Sequence, residues 1–479
     1  MPRRTDPAAH RWWTLAAVSL TQLLIILDGT IINIALPRAQ AELLLSDSSR
    51  QWVVTAYALA FGALLLLGGR IADYWGLKRT YLLGLVVFGA ASLWGGLTHS
   101  GAELLVARAG QGAAAALMAP AALAFVTISF PDGKERNKAF AIFGSIGGIG
   151  SAVGLLAGGV LTELLSWRWC LLINVPLVAV GVVLGLWLLT ERRVEGRPTY
   201  DVAGALTATL GLGLLVYGLT LAEHSITAPA TVGCVVAGIL LLAAFVAIER
   251  RSRQPLLPLR IVSDRIRAGA FLVQFLIGAV GVATMVYLAF HLQLVLELQP
   301  FVAGVATLPY TASLMAMVPF AVRMIDRIGP RRQMIVGPLI SAVGLLLLSF
   351  VTADGGYWLQ VFPGLVLMGI GMGFTVVPLN NLALYRVADH DAGVASATVT
   401  ATNQIGGSIG LAVVTAAYVV AMGASGASGP EALVQGYRVA FGIGAGIFAA
   451  AAVVGWFLIR PAAPQGVGEP RREQVVHLA

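Results

Sequence analysis

Fourteen stretches of this chain stay apolar for close to 20 residues at a time, about the length of α-helix that crosses the roughly 30 Å hydrocarbon core of a bilayer. They lie near residues 12–36, 51–71, 80–98, 102–127, 139–162, 169–189, 201–221, 231–249, 268–290, 302–322, 333–352, 358–380, 394–419 and 437–459. In lipid the backbone must satisfy its own hydrogen bonds, and segments of this length do so as helices. The expected fold is an all-α membrane protein with 14 transmembrane helices, here called spans 1–14. Composition agrees: 58% of residues are hydrophobic and 11% charged, against about 25% charged in a soluble domain.

The basic residues alternate in space. Of 31 Lys and Arg, 26 fall in the termini or in every second loop, among them Arg3, Arg4, Arg11, Arg70, Lys78, Arg79, Arg250, Arg251, Arg331 and Arg332. The other side holds Arg38, Arg50, Arg168 and Arg438. This asymmetry predicts cytoplasmic termini in a multi-pass cell-membrane protein, and it supports an even number of spans. The net charge of +8 is thereby accounted for without nucleic acid. The first apolar run is longer than a signal-peptide core and lacks a small-residue cleavage site, so it is expected to be retained. Cys170 and Cys234 lie in or at the edge of spans and suggest no disulfide framework. The histidines are scattered, no metal-ligand spacing occurs, and no Gly-x-x-x-x-Gly-Lys-(Ser/Thr) phosphate loop is present. No metal and no cofactor are expected.

One loop pattern occurs twice. Asp73-Tyr-Trp-Gly76-Leu-Lys78-Arg79 joins spans 2 and 3, and Asp326-Arg-Ile-Gly329-Pro-Arg331-Arg332 joins spans 10 and 11. The match in topology predicts two parallel six-helix bundles with two helices inserted between them, an architecture that places a substrate site at the midplane. The expected divisions are 1–190 for the first bundle, 191–267 for the inserted pair with its linkers, 268–460 for the second bundle, and 461–479 for a disordered cytoplasmic tail.

A few residues carry chemistry into the bilayer. Asp28 sits in the middle of span 1, where an ionised group is costly and by default functional. Arg108 is the one basic residue deep in a span, with Gln111 one turn on. Both Asp28 and Arg108 fall in the outer halves of their helices, so they are able to approach. The bland alternatives are local hydrogen bonds from Asp28 to Thr30 or a neighbouring helix, and a purely structural Arg108. Burial favours the neutral carboxyl and a nearby cation the ionised one, so such a carboxylate can exchange a proton for a cation. Gly150, Gly154 and Gly158 share one face of span 5, with Gly147 and Gly159 beside them, a spacing that permits close helix approach. Gln22, Asn33, Tyr57, Gln111, Asn174, Gln274, Tyr287, Tyr310, Asn380, Asn381, Asn403 and Gln404 are the candidates to line a cavity. Glu163, Glu223 and Glu297 are expected near the outer surface, solvated.

These residues resemble the major facilitator superfamily, and within it the 14-helix drug:proton antiporters. The run Leu27-Asp28-Gly29-Thr30-Ile31-Ile32-Asn33-Ile34-Ala35-Leu36-Pro37 is similar to that group's first-helix signature. Gly69–Arg79 resembles the superfamily's loop motif, and Arg108-Ala-Gly-Gln111-Gly its fourth-helix motif. Gly150–Gly159 resembles the fifth-helix antiporter motif, with Leu155 where that motif has Pro. Trp167-Arg168-Trp169 and Ile173-Asn174-Val175-Pro176 resemble the entry to helix 6.

The resemblance implies proton-coupled efflux of small amphipathic or cationic compounds by a monomer, powered by the proton gradient. Asp28 and Arg108 would couple protons. Gly69, Asp73, Gly76, Lys78 and Arg79, with Asp326, Gly329, Arg331 and Arg332, would form gating loops, with Asp73 pairing or capping a helix on the other half. Leu155 keeps open a symporter or uniporter, or a dedicated exporter of one metabolite or natural product. An embedded enzyme would need a nucleophile–base pair or a metal cluster, and neither is present; a sensor or scaffold would not need Asp28.

Overall fold

The computed structural model describes residues 7–130, 133–191, 201–222, 225, 227–252, 255–387, 392–424, 426 and 429–459. Among these there is no strand. Thirteen helices are long and apolar enough to cross a membrane. The 20-residue helix Leu77–Gly96, which opens with Lys78 and Arg79, takes the place expected of span 3 and brings the number to fourteen. The linker 192–200, Glu223, the side chain of Asp326 and the tail 460–479 lie outside the described residues.

Spans 1 to 5 are the helices Pro7–Leu43, Asp47–Trp75, Leu77–Gly96, Gly101–Ser129 and Gly133–Leu164. Span 6 begins as a single turn, Trp169–Leu172, and continues as Asn174–Leu188. Spans 7 and 8 are Val202–Leu221 and Pro229–Arg251. Span 9, Arg265–Phe290, runs on into a π-helical turn, His291–Val295. Spans 10 and 11 lie within Pro300–Leu348 and are separated by the non-helical turn at Gly329. Spans 12 to 14 are Phe362–Ala383, Ala392–Ala424 and Pro430–Leu458.

Starts are marked by side-chain caps that satisfy the free N–H groups of a first turn. Ser46 accepts from Ser49 N–H, Ser100 from Glu103 N–H, and Asp264 from Ile266 and Arg267. The two repeated loops turn at the same motif position: Gly76 has φ 118° and Gly329 φ 79°, a region that side chains with a Cβ avoid. Their next basic residues also act alike. Lys78 Nζ donates to the Leu186 carbonyl at 2.8 Å, near the end of span 6, and an Arg331 Nη donates to the Trp456 carbonyl at 2.8 Å, near the end of span 14.

Glycine sets the closest helix approaches. A Cβ on Gly158 would lie 2.8 Å from the Ile31 carbonyl oxygen, and one on Gly154 would strike Thr30 Oγ1. Span 5 therefore packs its glycine face on span 1, around Asp28. Gly159 does not belong to that face, contrary to its sequence grouping: a Cβ there would sit 2.6 Å from Phe301 Cα of span 10. The spans meet along a seam in which span 2 packs on span 13 and span 5 on span 10. Spans 7 and 8 pack on each other, and span 7 also touches spans 2 and 13. Gln51 of span 2 donates to Thr220 of span 7 at 3.0 Å, which ties the pair to the first six spans.

Candidate functional site

Asp28 is fully buried, with no solvent exposure, as are Arg108, Gln111 and Asn174. Spans 1, 4 and 6 bring them together. Arg108 Nη1 donates to Asp28 Oδ2 at 2.6 Å. Gln111 Nε2 and Asn174 Nδ2 each donate to Asp28 Oδ1 at 2.8 Å. The carboxylate thus receives three side-chain donors, one of them charged. Helical spacing explains half of this: Arg108 and Gln111 are three residues apart and share a face of span 4. Asn174 opens the long part of span 6, and its amide points inward to Asp28.

The network continues outward from the carboxylate. Arg108 Nη1 also reaches Gln111 Oε1 at 2.8 Å, and its Nε donates to the Val53 carbonyl at 2.9 Å. The guanidinium carbon lies 4.5 Å from the ring centre of Tyr57, whose hydroxyl donates to the Ile25 carbonyl. Ser92 of span 3 accepts from Gln111 Nε2 at 2.8 Å and from Asn174 Nδ2 at 3.5 Å. Thr30 does not hold Asp28; its hydroxyl bonds back to the Ile26 and Leu27 carbonyls. Two polar atoms beside the ion pair, Arg108 Nη2 and Asn174 Oδ1, are buried without a hydrogen-bond partner. Among the described residues no group of His, Cys, Asp and Glu is placed to hold a metal ion.

The remaining cavity candidates divide. Tyr57, Gln111 and Asn174 belong to the Asp28 network. Asn33 is buried one and a half turns along span 1, its Oδ1 without a partner. Gln22, Gln274, Tyr310, Asn403 and Gln404 are half-buried within their spans. Asn380 and Asn381 are exposed and lie in the last turn of span 12. Tyr287 stands apart, hydrogen-bonded to Thr415 at 2.6 Å and packed against Tyr418 and Tyr437.

The loop residues named as gating candidates lie at the joins of spans 2–3 and 10–11, and the cap at the first join comes from a residue other than Asp73. The start of span 3 is capped by Glu191, whose carboxylate accepts from Lys78 N–H at 3.1 Å and Arg79 N–H at 3.2 Å. Glu191 comes from the end of span 6, on the same side of the seam, so this contact does not bridge it. Asp73 is half-buried beside its own span, and among the described residues no ion pair joins it across the seam. Gly69 packs on Pro120 of span 4 and Arg332 is exposed. Hydrogen bonds do cross the seam at the end away from the termini. Gln293 Nε2 donates to the Ile34 carbonyl at 3.0 Å, and Phe301 N–H to Glu163 at 3.1 Å. Glu163, expected to be solvated only, is therefore also a seam contact.

Sequence reasoning missed Ser92, Glu191 and Arg50. Ser92 was legible as a hydroxyl inside an apolar span. Glu191 and Arg50 looked like ordinary loop-edge charges, and their partners are 112 or more residues distant in sequence for Glu191 and on spans 9 and 13 for Arg50.

Comparison with known proteins agrees with this architecture. The puromycin resistance protein pur8 of Streptomyces alboniger is 43% identical over 466 residues, covering 95% of this chain and 92% of that one. The lincomycin resistance protein of Streptomyces lincolnensis is 38% identical, with 86% of each chain covered. The cephamycin export protein CmcT of Amycolatopsis lactamdurans is 37% identical, covering 94% and 93%. The POT family transporter PepTSo, at 17% identity, superimposes with a TM-score of 0.67 over 92% of this chain and 97% of its own. A bacterial homologue of the lysosomal transporter Spinster, solved inward-facing and occupied, gives 0.65 at 18% identity over 96% and 98%. These last two likenesses concern the fold. The family model described as the Major Facilitator Superfamily matches residues 18–411, and this multi-pass membrane chain belongs to that superfamily.

Proposed function

We propose that this chain is a proton-coupled exporter of small amphipathic or cationic compounds. The observation that carries the reading is the fully buried Asp28, bound at once by Arg108, Gln111 and Asn174 where spans 1, 4 and 6 meet. With the proton off, Asp28 and Arg108 neutralise each other. With the proton on, Asp28 is neutral, Arg108 loses its counter-charge, and the network must rearrange. Nη2 of Arg108 and Oδ1 of Asn174, both unpartnered, are the atoms that take new bonds. A proton and a substrate cation then compete for one carboxylate, which is the elementary requirement of antiport. The relatives named for puromycin, lincomycin and cephamycin support export as the direction and antibiotics as the substrate class.

In this reading spans 1–6 and 9–14 rock as two halves about the seam, with spans 7 and 8 carried by the first half through Gln51 and Thr220. The protein works as a monomer, without a bound cofactor, with both termini in the cytoplasm. One proton returning down about 100 mV is worth ~2.3 kcal/mol, enough to hold a neutral substrate at a gradient of about 50-fold.

The test uses purified protein in vesicles with an imposed pH gradient and puromycin as the probe. Wild type accumulates the probe against its gradient and Asp28→Asn brings it only to equality. Uphill accumulation by Asp28→Asn would sink the proposal. Leu155, in place of the fifth-helix proline, favours a second reading, a symporter or uniporter. Inverting the pH gradient separates the two, since a symporter moves its substrate with the proton and a uniporter ignores it.

A further inference from the structure

Arg50 opens span 2 at the end of the bundle away from the termini, yet it is only 4% exposed. Its guanidinium reaches across the seam into aromatic rings of the second half. The carbon at its centre lies 4.2 Å from the Phe290 ring, 5.9 Å from Tyr287 and 5.8 Å from Tyr418. These rings are themselves locked. Tyr287 and Tyr418 have centroids 4.8 Å apart, Tyr437 stacks on Tyr418 at 5.5 Å, and His291 lies edge-on to Tyr437. Tyr287 is fixed by its hydrogen bond to Thr415. Spans 9, 13 and 14 thus build an aromatic cluster, and the guanidinium of a span 2 side chain is seated against it. On the span 1 side, Arg50 Nη1 donates to Gln40 Oε1 at 3.2 Å.

The negative faces of packed rings attract a cation, more strongly where water is excluded. That attraction does not discriminate between a tethered guanidinium and a free organic cation of similar size. We propose that the Tyr287–Phe290–Tyr418 pocket is a binding subsite for organic cations, guanidinium or small quaternary ammonium groups, at the end of the bundle away from the termini. Arg50 occupies it while that end is shut. Separation of spans 2 and 13 withdraws Arg50 and leaves the ring faces to a cationic group of the departing substrate. The identity of that substrate rests on the export reading; the pocket's preference for cations does not. The subsite lies on the second half, apart from Asp28, so the two can be tested separately.

The experiment measures thermal unfolding of the detergent-solubilised full chain with ethylguanidinium, tetramethylammonium, or sodium at equal ionic strength. Arg50→Ala vacates the pocket. The two organic cations are expected to raise its midpoint by several degrees relative to sodium, to leave wild type unmoved, and to lose their effect in Arg50→Ala/Tyr418→Leu. The same pattern is expected in an Asp28→Asn background, so that a failure of proton coupling leaves this result standing. If Arg50→Ala does not fold, Arg50→Gln, which keeps an amide beside Gln40, takes its place. No cation-specific shift in the Arg50 variant, or an equal shift in wild type or in the double variant, overturns the proposal.

Discussion

The first six spans and the last six bury different chemistry. In the first, an ion pair and two amides hold each other among spans 1, 4 and 6. In the second, Tyr287, Tyr418 and Tyr437 pack on one another among spans 9, 13 and 14. The two sides nevertheless share backbone detail. Gly76 and Gly329 turn the same loop, and Lys78 and Arg331 make the same bond to the last helix of their own side. The lesson is that scaffold and chemistry separate: matching loops set helix geometry, while a handful of interior side chains give one side a buried ion pair and the other an aromatic cluster.

The difference has consequences for stability that can break the comparison. Arg108→Ala leaves Asp28 buried with two amide donors and no counter-ion. Losing one partner of a buried pair costs about 3–5 kcal/mol, so the unfolding midpoint should drop more than for Tyr287→Phe on the other side. A midpoint equal to that of Tyr287→Phe would erase the proposed contrast. Gly158→Val drives a branched side chain into the Ile31 carbonyl, and overpacking of this kind costs about 1–3 kcal/mol. Gly410→Val, whose Cβ would strike Ala279 of span 9, should cost a similar amount, since helix contact is common to both sides.

Smaller effects sharpen the picture. Glu191→Ala removes the cap of span 3, worth about 0.5–2 kcal/mol, and hydrogen exchange at Lys78 and Arg79 amides should speed while span 11 exchange stays unchanged. Tyr287→Phe deletes one interhelical hydrogen bond, which in membrane proteins averages ~0.6 kcal/mol; its midpoint should move least of all. A large loss there would mean that the second side also depends on polar bonds.

Much of this was legible beforehand because lipid imposes a severe grammar. Helix count follows from apolar length alone, and the duplicated Asp-x-x-Gly loop is read directly from the residues. Asp28 and Arg108 stood out because a lone charge in an apolar run is expensive, and that expense forced them together. Asn174 was one polar residue among twelve cavity candidates, and only the packing of span 6 on span 1 brings its amide to Asp28. Glu191 and Arg50 were less visible still. Charges at the ends of helices cost little, so nothing in their surroundings demanded a partner.

Segment length and the price of unpaired charge in hydrocarbon therefore determined the all-helical membrane fold, its spans and its buried acid and base directly from the residue order. Tertiary structure decided which polar atoms share Asp28, that Gly159 faces span 10 and not span 1, and that Arg50 ends among rings of the second half. Those choices depend on how helices rotate and cross once packed, and backbone approaches through glycine set that geometry over separations that no local pattern encodes.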